Sequence, residues 1–174
     1  LSGGVMAFIA IKTAPYRMAR LLAFLNPQSD PQGAGYHIAQ AKLAVGSGGL
    51  FGLGLGQSRQ KFFYLPEVTG DSIFAVIAEE LGFFFSSFVI LLFLAFFWRS
   101  IKIASTAPDK FGKLVAVGIG VWISVQAFVN IGAMLGVLPL TGLTLPLMSY
   151  GGSSLIMTLA GIGVLLNISK QCKV

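Results

Sequence analysis

The stretch LGFFFSSFVILLFLAFFW, residues 81–98, carries no charge and stops at Arg99. As a helix it would rise about 27 Å, close to the roughly 30 Å of a bilayer's hydrocarbon core. Two further uncharged runs have the same character, Leu114–Leu138 and Gly151–Ser169. Leu1–Ile11 is apolar and ends at Lys12. At about 16 Å it is too short to cross. It has neither the basic start nor the small-residue cleavage site of a signal peptide, so it reads as the end of a span, and the chain as the C-terminal part of a longer protein. Composition agrees: 55% of residues are hydrophobic and 10% charged, against about 25% charged in an average globular protein. A water-soluble class is excluded, because no charged shell can be built. The fold expected is an all-α polytopic membrane protein.

Basic residues orient the spans. The connection Arg99–Lys113 holds Arg99, Lys102, Lys110 and Lys113 against Asp109, and the tail holds Lys170 and Lys173. Both segments lie on one side, which the positive-inside rule makes cytoplasmic. Residues 12–80 and the loop Pro139–Tyr150 then face outward. The net charge of +6 belongs to these membrane edges, and no nucleic acid is expected as a partner. The single cysteine, Cys172, rules out a disulfide within the chain.

The long outer segment has internal order. PYRMARLLAFLNP (15–27) suits a short interfacial helix, and YHIAQAKLAVGSGG (36–49) a second helix stopped by glycine; both could be simple amphipathic anchors. GSGGLFGLGLGQSRQK (46–61) admits two readings. It is a close-packing turn, or it is an anion-binding turn whose amides and following Arg59 and Lys61 would suit a phosphate.

Four of the six acidic residues gather at 67–80: Glu67, Asp71, Glu79 and Glu80. One reading makes Asp71 an N-cap, with Glu79 and Glu80 reaching for water before the span. The other treats carboxylates bordering hydrocarbon as functional candidates. Glu67 and Asp71 are four apart, and Asp71 and Glu79 lie about 80° apart on an ideal helix. Either glutamate could tune Asp71 or share a divalent cation with it, which oxygen ligands suit. One histidine, His37, and no Cys/His cluster argue against zinc. Gln126 and Asn130 share a helix face, fit to hydrogen-bond a neighbouring helix or to touch substrate.

NIGAMLGVLPLTGLTLPLMSYGGSS (130–154) resembles the signature of the SEDS family of FtsW, RodA and SpoVE proteins, in Asn130, Gly136, Pro139, Gly142 and Ser149–Ser154. Its TGLTLP wording (141–146) is more like the FtsW branch. Asp30–Glu67 and Asp71–Gly82 are similar to the family's large outer loop. The resemblance implies the last four transmembrane helices of a SEDS-type fold, with short interfacial helices in a large extracytoplasmic loop. It implies a multi-pass plasma-membrane enzyme, active outside and with a cytoplasmic C-terminus, that polymerises lipid II into peptidoglycan. Partners implied are lipid II, a class B penicillin-binding protein and other division or elongation proteins. The family's catalytic aspartate falls on Asp71. The His-Thr that commonly precedes it is here Thr69-Gly70.

On this expectation Asp71 is the general base and a possible metal ligand. Arg59, Lys61 and a divalent cation, magnesium or manganese, would neutralise the leaving pyrophosphate. Gln40, Lys42, Glu67 and Glu79 are the other candidates for holding substrate. A flippase for lipid-linked precursors and a non-catalytic scaffold of the division complex are the alternatives.

Overall fold

The computed structural model describes residues 15–26, 33–60 and 69–172. The segment 1–11, Lys61 and Glu67 lie outside the described residues. All regular elements among the described residues are helices: α1 (Pro15–Leu25), α2 (Ala34–Ser47), α3 (Ile73–Thr106), α4 (Lys110–Met134) and α5 (Gly152–Gln171). The last three are long and apolar enough to cross a membrane. Phe84, Phe88, Leu91 and Trp98 stand exposed on α3, as a lipid-facing helix requires. The two short helices expected in the outer segment are α1 and α2.

The spans differ from their expected limits because charge does not end a helix. Arg99 and Lys102 lie inside α3, where long basic side chains keep their stems on apolar surface and their heads in water. The connection to α4 shrinks to Ala107–Asp109, and α4 starts at Lys110 rather than Leu114. Asp109 caps α4 by accepting a 2.7 Å hydrogen bond from the Gly112 amide. α4 ends at Met134 rather than Leu138, where Val137 N and Leu138 N both donate back to Gly132 O. α5 runs two residues past the expected Ser169.

Two buried clusters hold the helices together. Ile38, Ala41 and Ala44 of α2 pack with Phe74, Ala75 and Val89 of α3 and Ala127, Ile131 and Met134 of α4. Farther along, Ile103 and Ala104 of α3 meet Ala116 of α4 and Leu165 and Ile168 of α5.

α3 is broken at Gly82, whose φ of 76° and ψ of −172° leave the helical region. The break frees carbonyls before it and amides after it. The glycine-rich loop after α2 takes up both. Leu53 N donates to Glu79 O and Gly54 N to Glu80 O, each at 3.0 Å, while Phe83 N donates to Gly49 O at 2.9 Å. The chains approach so closely that a Cβ on Gly52 would sit 2.2 Å from Glu80 O, and one on Gly82 2.3 Å from Gly52 N. The close-packing reading of this segment therefore holds. The anion-binding reading fails for the amides of Leu53 and Gly54, which are spent on α3.

Gly82→Ala adds strain at positive φ, worth about 1–3 kcal/mol, to a backbone clash that no rotamer relieves. It is expected to lower stability by about 3 kcal/mol or more, read as a fall in melting temperature of the detergent-solubilised protein. Gly46→Ala, with nothing within 4 Å of the new Cβ, is expected to leave the melting temperature unchanged or slightly raised.

Candidate active site

The acidic stretch enters α3 through a turn, residues 69–72. Ser72, not Asp71, is the N-cap residue, and its side chain makes no capping bond. An N-cap serine ordinarily spends its hydroxyl on an amide of the first helical turn, for about 1 kcal/mol. Here that hydroxyl lies 2.7 Å from His37 Nε2 of α2 and 3.3 Å from Asp71 Oδ1, to which it donates. Ser72 is wholly buried and Asp71 half-buried.

The backbone of Asp71 is gripped from the opposite side. Asn130 Nδ2, in the last turn of α4, donates 2.8 Å to Asp71 O and 2.6 Å to Leu143 O. One amide thus ties the acidic turn, α4 and the loop between α4 and α5. That loop is fixed at further points. Gln126 Nε2 donates to Thr144 O at 2.9 Å, Leu145 N to Ser149 Oγ at 2.7 Å, and Thr144 Oγ1 and Ser154 Oγ lie 3.0 Å apart. Tyr150 N closes the ring on Thr69 O at 2.8 Å. Asn130 and Gln126 therefore bond not a neighbouring helix but the turn and loop that frame Asp71.

Glu79 does not accompany Asp71. It is 1% exposed. Its Oε2 accepts from Ser58 Oγ at 2.5 Å and its Oε1 from Arg59 N at 3.1 Å. It clasps the glycine-rich segment through these two contacts. Glu80 is 9% exposed, so neither glutamate reaches for water before the span. The side chain of Arg59 is exposed. Gln40 is half-buried on α2, three residues after His37 and on the same face. Lys42 lays its side chain over Gly136, where an added Cβ would sit 1.8 Å from Lys42 Cε. Among the described residues no group of three His, Cys, Asp or Glu side chains stands close enough to hold a metal ion.

Two residues join this surface without having been singled out by sequence. The guanidinium of Arg20 on α1 lies beside Gly142, 3.3 Å from the position of an added Cβ, next to the Leu143 carbonyl that Asn130 holds. His37 arrives from α2. The one signal for it was its spacing from Gln40, which put an imidazole on the same helix face. An apolar cavity of about 260 Å³ lies along α3 and α4, lined by Val89, Phe93, Phe96 and Ile123 and by Leu147 and Met148 of the same loop. Leu147 has a φ of 65°, a conformation costly for a branched side chain and seen where surrounding structure dictates it.

A family model for the cell cycle proteins FtsW, RodA and SpoVE matches residues 2–174. Stage V sporulation protein E of Bacillus subtilis (strain 168) is 54% identical over 171 residues, covering 98% of this chain and 47% of that protein. The probable peptidoglycan glycosyltransferase FtsW of Thioalkalivibrio sulfidiphilus (strain HL-EbGR7) is 53% identical over 169 residues, covering 95% and 42%. The chain thus spans about half the length of these curated relatives. A structure described as showing structural coordination of polymerization and crosslinking by a peptidoglycan synthase complex superposes with a TM-score of 0.72 at 33% identity, over 96% of this chain and 47% of that one. A mutant of the rod shape determining protein RodA of Thermus thermophilus gives a TM-score of 0.58 at 38% identity, over 78% and 41%.

Asn130→Ala leaves two carbonyls, of Asp71 and Leu143, without their shared donor. At about 0.5–1.5 kcal/mol for each of these part-buried hydrogen bonds lost, a loss of roughly 1–3 kcal/mol is expected in thermal or denaturant unfolding. Asn130→Asp, which keeps the shape but removes the amide donor, is expected to lose at least as much.

Proposed function

Because this chain belongs to the FtsW/RodA/SpoVE family of cell cycle proteins, we propose that it is part of a peptidoglycan glycosyltransferase that polymerises lipid II on the outer face of the plasma membrane during division. The observation that carries this is the mounting of Asp71: a half-buried carboxylate at the entry of a membrane-spanning helix, held on its backbone by Asn130 and on its side chain by Ser72. Such a group stands where a lipid-anchored sugar must be met.

In the proposed reaction Asp71 accepts the proton of an acceptor sugar hydroxyl. The oxygen so released forms the new bond to the anomeric carbon of the donor. The anomeric carbon–oxygen bond to the diphosphate breaks, and the lipid diphosphate leaves with that electron pair. Developing charge on the diphosphate calls for cations. Lys42 and Arg59 answer on the outer segment, Lys61 lies outside the described residues, and Arg20 joins them beside the Gly142 turn. The apolar cavity lined by Leu147, Met148 and residues of α3 and α4 is a surface on which a hydrocarbon-anchored substrate could lie.

A divalent cation, magnesium or manganese, is part of the proposal. Among the described residues Glu79 has both oxygens engaged, and Asp71 is the carboxylate we assign to meet the cation. That fits an ion arriving on the diphosphate, because magnesium binds through one or two carboxylates together with substrate phosphates and water. Bound there, it would stabilise negative charge on the leaving group.

The partner we propose is a class B penicillin-binding protein, which the likeness to a peptidoglycan synthase complex supports. The broken helix at Gly82 is a feature of transporters too. Here, however, the freed groups meet loop amides and carbonyls rather than an ion or substrate, so polymerisation is preferred to flipping.

Two outcomes are expected. Asp71→Asn in the protein made from its complete reading frame is expected to slow glycan formation from lipid II by about 10²–10⁴-fold, the range for general-base removal, as read by gel separation of labelled glycan. Polymerisation at the wild-type rate would discard the assignment. For orientation, in a Cys172→Ser background, Tyr150→Cys is expected to react with an impermeant maleimide in intact spheroplasts. Pro108→Cys is expected to react only after lysis.

A further inference from the structure

We propose that His37 is a positioning residue for Asp71, acting through the hydroxyl of Ser72; the inference rests on the reading of Asp71 as general base. Ser72 carries one hydroxyl hydrogen, and a carboxylate only accepts. The 3.3 Å contact with Asp71 Oδ1 uses that hydrogen. The 2.7 Å contact with His37 Nε2 is then made with the imidazole donating, its hydrogen on Nε2, and the serine oxygen accepting. A chain of two donors runs from α2 to the carboxylate: His37 Nε2–H to Ser72 Oγ, and Ser72 Oγ–H to Asp71 Oδ1.

The chain answers why an N-cap serine forgoes its capping bond. Ser72 is 0% exposed, so water does not compete for its hydroxyl, and a hydrogen bond in a low-dielectric interior is strong. His37 is itself steadied by the packing of its helix, since Ile38, Ala41 and Ala44 are buried against α3 and α4. With Nε2–H directed at Ser72, the hydroxyl is held toward Asp71. One carboxylate oxygen is held, leaving the other for the acceptor sugar. Without His37 the hydroxyl loses this donor, and the carboxylate gains rotamers that miss the acceptor. Misplacing a reacting group by about 1 Å costs up to about 10²-fold in rate.

The test is a double-mutant cycle on the complete protein, measuring kcat and KM for glycan formation from lipid II beside the melting temperature. His37→Ala and Ser72→Ala are each expected to lower kcat about tenfold with KM unchanged. The double variant is expected to lose no more than either single one, because both changes cut one chain. His37→Gln, whose amide still donates, is expected to recover most of the rate. Losses that multiply in the double variant would overturn the proposal. So would a His37→Ala enzyme at wild-type kcat while Asp71→Asn is inactive, or a fall in melting temperature that tracks kcat with no rescue by glutamine. Should Asp71→Asn itself polymerise at the wild-type rate, the base assignment fails first and is seen to fail separately.

Discussion

The structure hangs on a backbone joint. α3 breaks at Gly82, and the amides and carbonyls freed there pair with Gly49, Leu53 and Gly54. A peptide group left unpaired in hydrocarbon costs several kcal/mol, so a break within an apolar helix survives where protein supplies partners, as it does here. The joint sets where α2 lies against α3, and therefore where His37, Gln40 and Lys42 stand. Glu79 adds a second hold by clasping Ser58 and the Arg59 amide. Glu79 is thus part of the frame, and Asp71 is left half-buried in the turn before α3.

A second constraint works from the far side of the turn. Asn130 gives both hydrogens of one amide nitrogen to two carbonyls distant in sequence. Its neighbours in the signature segment, Thr144, Leu145, Ser149 and Ser154, bond one another rather than standing open as a binding motif. These bonded residues of the signature segment are scaffold. They fix the loop, the loop and α4 fix the turn, and the turn presents the carboxylate. In the reaction proposed for it, an Asp71 held on both backbone and side chain would need little reorganisation when substrate arrives.

Much of this was legible in the residues. Uncharged runs of spanning length marked α3, α4 and α5, because hydrocarbon tolerates little else. The helices run beyond or stop short of those runs. Arg99 and Lys102 ride on the helix, and α4 ends where Val137 and Leu138 turn back on Gly132. The partners of Glu79 were hidden for another reason. Spacing on a helix predicts which residues share a face, but not that a distant serine and amide will claim a carboxylate. The glycine run was ambiguous since the same bare amides suit a phosphate or a carbonyl, and only the break at Gly82 decides between them. His37 and Arg20 were hidden because their neighbours, Ser72 and Gly142, lie 35 and 122 positions away in sequence.

The joint at Gly82 is written in missing atoms. Its own hydrogen bonds run from main chain to main chain. Its register is carried by main chain, so Leu50, Phe51 and Leu53, all exposed, are at liberty to change among relatives while Gly52 and Gly82 are not. Sequence drift around this site should therefore be rapid in everything that decorates the hinge and nearly frozen in the two positions that carry no side chain at all.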